Sequence, residues 1–180
     1  MNIINSRVED QIRTDLPRTF PNNIHFDSSS TTCYQRQLFN ILKAFANNNP
    51  TVGYCQGINY IAGLLFLVTK ARFQQFFMWD STLLHQDEED SFWLLKVLCE
   101  RILPDYYTPS MPGLITDMKV LAMLAREEVP AVADHVDKMQ MPWALFCSKW
   151  FICVYGEVLP VETVLRYLTP YIIFMNWWSR

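Results

Sequence analysis

Ile58-Asn59-Tyr60-Ile61-Ala62-Gly63-Leu64-Leu65-Phe66-Leu67-Val68 is apolar on nearly every side when wound as a helix. A helix without a polar face has to be surrounded, so this stretch predicts a central buried helix. Upstream, Leu38, Ile41, Leu42 and Phe45 recur at steps of three and four and would form the inward face of a second helix, with Thr31 or Thr32 as its cap. Asn47-Asn48-Asn49-Pro50 ends that helix, because proline disfavours helical backbone in the residue before it. Downstream, Asp87-Glu88-Glu89-Asp90 precedes Phe92-Trp93-Leu94-Leu95. Acids in a first turn complement the helix dipole, so the cluster reads as an N-terminal signal and not as a metal site.

Pro104, Pro109 and Pro112 punctuate a loop around Asp105-Tyr106-Tyr107, after which Leu114, Met118, Leu121 and Leu124 mark an amphipathic helix. Pro130 opens a shorter helix to about Met139. Pro142 opens another with Trp143, Phe146, Trp150 and Val154 on one stripe, and Pro160 opens the last with Val161, Val164 and Leu165. Trp93, Trp143 and Trp150 are expected in the core. Glycine is scarce, at five residues, and nothing alternates as a half-buried strand would. The expected fold class is all-α, a helical bundle.

Apolar residues at 51% and charged residues at 18% exclude a disordered chain, and 180 residues suffice for one domain with a real core. A net charge of −3 without a Lys/Arg stripe argues against nucleic acid as the main partner. Cys33, Cys55, Cys99, Cys147 and Cys153 contain no C-x-x-C pair, and His25, His85 and His135 add no metal-ligand spacing, so reduced thiols are expected. The first ten residues carry acids and no apolar signal-peptide core, and Ile58 to Thr69 is shorter than the ~20 residues that span a bilayer. The expectation is a soluble cytoplasmic protein. P-loop, dinucleotide, paired-carboxylate and nucleophile–histidine motifs are absent from the sequence.

Two short segments carry the functional signal: Ile12-Arg13-Thr14-Asp15-Leu16-Pro17-Arg18-Thr19-Phe20-Pro21, with the pattern Ile-x-x-Asp-x-x-Arg, and Gly53-Tyr54-Cys55-Gln56-Gly57-Ile58-Asn59, with Tyr-x-Gln. In this order they resemble the two catalytic fingers of the TBC domain, a family of GTPase-activating proteins for small GTPases of the Rab class. The resemblance extends to Ser91-Phe92-Trp93-Leu94-Leu95, to Ile102-Leu103-Pro104-Asp105-Tyr106-Tyr107, to Ser148-Lys149-Trp150-Phe151-Ile152-Cys153 and to Leu159-Pro160-Val161-Glu162-Thr163-Val164-Leu165-Arg166. It covers 8–70 and 87–166, the N-terminal and middle part of such a domain, with the C-terminal half missing. The upstream helices with their arginine–tryptophan signature are lacking as well. Residues 71–86 read as an insertion in a partial domain spanning 1–166, and 167–180 as a divergent apolar tail. Together these departures predict a truncated or alternatively spliced form.

The resemblance implies that Arg18 is an arginine finger and Gln56 a glutamine finger, both supplied in trans to a Rab-family GTPase. A guanidinium, always charged and planar, meets the phosphoryl oxygens on which charge builds. The glutamine would orient the attacking water. Pro17 restricts the backbone before Arg18, Asp15 would orient the Arg18 loop, Asp15 and Asn22 would set its turn, Tyr54 would pack beside Gln56, and Gly57 would permit close backbone approach. Arg13 lies nearby, but the motif frame selects Arg18. No cofactor of its own is implied, since GTP and Mg2+ belong to the partner. The implied setting is vesicle trafficking; the apolar tail would either partly cover the faces left by the missing helices or make a peripheral membrane contact through its aromatics. A non-catalytic GTPase- or partner-binding module is the alternative.

Overall fold

The computed structural model describes residues 6–27, 33–76 and 86–178, with side chains outside 71–76, 86 and 171–178. Among the described residues there is no strand. Helix α1 (Ser6–Asp15) runs into a 3-10 turn (Leu16–Arg18), where Pro17 already has the backbone angle the turn needs. Next come α2 (Gln35–Asn48), α3 (Ile58–Phe76) and α4 (Gln86–Val97), the last widening into a π turn (Leu98–Ile102). Then follow α5 (Pro112–Glu128), α6 (Pro130–Lys138), α7 (Ala144–Ile152) and α8 (Val161–Trp178).

Helix α3 is the hub, touching α2, α4 and α8. Ile58, Ile61, Ala62 and every residue from Leu64 to Val68 are buried, as a stretch without a polar face requires. Leu38, Ile41, Leu42 and Phe45 of α2 meet it with almost no exposed surface. Each fully buried Leu or Phe contributes on the order of 1.5–3 kcal/mol of transfer free energy, so this seam dominates the stability of the front half. The candidate caps Thr31 and Thr32 lie outside the described residues; α2 begins at Gln35 with Tyr34 in the N-cap position. Asp87, Glu88 and Glu89 occupy the first turn of α4. There Asp87 pairs with Lys70 of α3, in a contact almost closed to water.

Several sequence expectations change. Trp93 is 51% exposed, because Leu94, Leu95 and Leu98 take the core-facing side of α4. In α5, Leu114 is buried, but Leu124 is half exposed and the inward positions further along are Ala122 and Ala125. Trp143, Phe146 and Trp150 form a stripe of ring contacts along α7, continued by Tyr155 and not by Val154, but Trp143 and Trp150 are only partly buried and stand outside the core around α3. Of the segment read as an insertion, 71–76 continue α3, 86 begins α4, and 77–85 lie outside the described residues. The backbone of α8 runs through the expected start of the tail at 167 and continues past Pro170; residues 179–180 lie outside the described residues.

Candidate functional site

The end of α1 and the loop before α3 converge on one open groove of about 1110 Å³. Asp15, Arg18, Gln56, Gly57, Asn59 and Tyr60 line it, together with Lys149, Cys153 and Glu157. Arg18 and Gln56 also share a smaller cavity with Tyr54, Asp15 and Arg7. Arg13, one turn before the motif arginine, points elsewhere, its guanidinium 4.3 Å from the centre of the Phe39 ring.

Arg18 has a 59% exposed side chain, and its Nη2 pairs with the Asp15 carboxylate, whose side chain is only 9% exposed. The other oxygen of that carboxylate accepts a 2.7 Å hydrogen bond from the Tyr54 hydroxyl. Asp15 therefore joins the two motifs: one oxygen faces the arginine of the first, the other the tyrosine of the second. Burial, and after it the Asp15 carboxylate, push the Tyr54 hydroxyl far above its ordinary pKa, so it remains the donor at any physiological pH. The Tyr60 hydroxyl donates to the Arg18 carbonyl at 3.0 Å and fixes the backbone of the loop from the α3 side. Its pKa is pushed up to about 12, chiefly by burial.

The loop itself is sharply set. Phe20 takes a left-handed φ of 51° and buries its ring against Phe26 and Tyr60. The side-chain turn contact falls to Asn23, whose Oδ1 accepts from the His25 amide at 2.9 Å, and not to Asn22, which lines the groove. Asp15 likewise spends its carboxylate on side chains, not on backbone. Gly57 has φ +108°, and a Cβ there would overlap Cγ2 of Ile152 on α7. Glycine is needed twice over, for the dihedral and for the approach.

Behind these residues lies a buried polar chain that the sequence reading missed. Asn59 Oδ1 accepts from the Gly57 amide at 2.9 Å, while Asn59 Nδ2 donates to Thr19 Oγ1 at 2.8 Å. Thr19 Oγ1 in turn donates to the Asp15 carbonyl at 2.8 Å. Thr19 and Asn59 are almost fully buried. Thr19 and Asn59 lie within the two motif segments but outside the Ile-x-x-Asp-x-x-Arg and Tyr-x-Gln patterns, and a polar residue on an otherwise apolar helix is a further signal for Asn59. Elsewhere in the groove lining, Lys149 Nζ donates to Glu157 Oε1 at 2.9 Å, and this contact raises the Lys149 pKa. Each cation in the groove thus has a carboxylate beside it. No group of His, Cys, Asp and Glu among the described residues is placed to hold a metal, and all five cysteines are free.

The sequence profile of the Rab-GTPase-TBC domain matches residues 2–175. The chain belongs to this family. Growth hormone-regulated TBC protein 1 of Homo sapiens is 49% identical over 162 residues, covering 90% of this chain and 44% of the relative. Growth hormone-regulated TBC protein 1-A of Danio rerio is 50% identical over 160 residues, 89% of this chain and 40% of the relative. The chain thus spans under half the length of these TBC relatives. Among solved structures, the Ypt/Rab-GAP domain of Gyp1p superposes with a TM-score of 0.76 at 26% identity, over 96% of this chain and 56% of that one. The all-helical TBC architecture expected from the sequence is the architecture found. No helix among the described residues is long and apolar enough to cross a membrane.

Proposed function

We propose that this TBC chain carries the catalytic face of a Rab GTPase-activating domain, with Arg18 and Gln56 entering the active site of a GTP-loaded Rab-family partner. The observation that carries the proposal is the shared groove: two side chains from different loops open onto one surface, and their loops are cross-linked by Asp15 and Tyr54. Arg18 would neutralise charge developing on the γ-phosphoryl oxygens and Gln56 would orient the attacking water, with GTP and Mg2+ held by the partner. An arginine finger contributes on the order of 10³–10⁵ in rate, about 4–7 kcal/mol of barrier. Asp15, Tyr54 and Gly57 hold the fingers and take no part in proton transfer.

A second reading has its own support. Met123, Leu124, Val132 and Leu145 are exposed on α5, α6 and α7 and offer a partner an apolar surface. A partner-binding module that does not accelerate hydrolysis would use the same groove without completing the chemistry. Single-turnover GTP hydrolysis by a panel of purified Rab proteins separates the two. Acceleration on a panel member, lost in Arg18→Ala and in Gln56→Ala, is the expected result. Binding to the GTP-loaded partner with no acceleration, and no preference for GDP plus a γ-phosphate mimic, would favour the binding module.

A further inference from the structure

We infer that Thr19 and Asn59 are positioning residues that set the two fingers relative to each other; the inference rests on the proposed dual-finger activity. Thr19 directly follows Arg18, and Asn59 lies two residues beyond Gly57, so the Thr19–Asn59 contact crosses between the finger loops at their bases. The direction of every bond in the chain is fixed. The Gly57 amide can only donate, so Asn59 must present Oδ1 to it and Nδ2 to Thr19. Thr19 Oγ1, having accepted from Asn59, gives its proton to the Asp15 carbonyl. No member can be turned over without orphaning another.

The Asp15–Tyr54 contact links the same loops, and its carboxylate also holds Arg18, the side chain that a partner's phosphate would draw away. The Thr19–Asn59 contact involves neither finger side chain, and Thr19 at 0% and Asn59 at 2% exposure are nearly closed to water. It persists when Asp15 loses Arg18 to a partner, and that is the moment when finger geometry governs the rate. Neither side chain lies on the path to the reacting atoms, so both act through the loops.

The test uses the whole chain with the Rab protein it accelerates best. Thr19→Val keeps the shape and removes the hydroxyl, while Thr19→Ser keeps the hydroxyl. Misplacement by about an ångström costs on the order of 10²-fold. Thr19→Val should therefore lower the single-turnover rate at saturating activator by tenfold or more, roughly. Its affinity for the GTP-loaded partner should stay unchanged, and Thr19→Ser should recover most of the rate. The effects of Thr19→Val and Gln56→Ala should also combine less than multiplicatively, since one removes what the other aligns. If Thr19→Val does not fold by circular dichroism, Asn59→Ser, which withdraws the Nδ2 donor, takes its place with the same expectations. A folded Thr19→Val with the wild-type saturating rate, or a Thr19→Ser as slow as Thr19→Val, overturns the inference and leaves the dual-finger reading standing. Failure of the wild-type chain to accelerate any panel member overturns both.

Discussion

Gly57 is the residue on which the second loop turns. Replacing it by alanine meets a φ that L side chains rarely adopt and a collision with Ile152 Cγ2. The dihedral alone costs about 1–3 kcal/mol. Gly57→Ala should lower the unfolding free energy from urea titration by at least that amount, and adding Ile152→Ala should restore only the part due to the collision. A Gly57→Ala midpoint equal to wild type would show that the loop relaxes freely. Titration supplies a second prediction. Burial pushes the Cys99 thiol up to about 12, and burial with the Glu157 carboxylate pushes Cys153 there too, against an ordinary value of 9.0. Above about pH 9 the unfolded thiols lose protons that the folded ones keep, so the stability present below that pH is lost progressively towards about pH 12. Urea midpoints measured through that window should fall, and fall less steeply in a Cys99→Ala, Cys153→Ala double variant. The residues facing the groove were legible because their motifs carry chemistry of their own. Thr19 and Asn59 stood in the same segments without a role, because their meaning arises only when positions 40 apart in sequence are brought together.

At the level of elements, α3 could be read directly, since an all-round apolar stretch has only one stable surrounding. Helix α4 could not: Phe92, Trp93, Leu94 and Leu95 offer the core more apolar faces than it can take, and only the packing of α2 and α3 decides that Trp93 is left out. The α3–α4 seam also contains Lys70 and Asp87, with 16% and 5% of their side chains exposed. Among the described residues the second Asp87 oxygen, Oδ1, is buried without a partner. Lys70→Met should thus destabilise by about 3–5 kcal/mol, the cost of an uncompensated buried charge, whereas Lys70→Met with Asp87→Leu should recover most of the loss. Thermal melts of the three proteins check this; equal melting of the two variants would mean that Asp87 finds water.

Seen whole, the molecule is unevenly finished. The front half packs large side chains around α3, whereas the inward positions along α5, α6 and α7 include Ala122, Ala125, Ala133 and Cys147. Met123, Val132 and Leu145 of the same helices are more than half exposed. Surfaces of this kind associate. Sedimentation should show concentration-dependent self-association, weakened about tenfold by Leu145→Glu, since one buried leucine accounts for about that factor. A monomer at all concentrations would contradict it. The Asp15–Arg18 pair has a consequence of its own for the encounter with a GTPase. A guanidinium already in the company of one oxyanion reaches a phosphate by trading partners, and the number of ion pairs it holds is the same before and after. On the proposed reading, the maximal rate should therefore depend only weakly on added salt, and Asp15→Asn should make that dependence steeper by turning a trade into a capture.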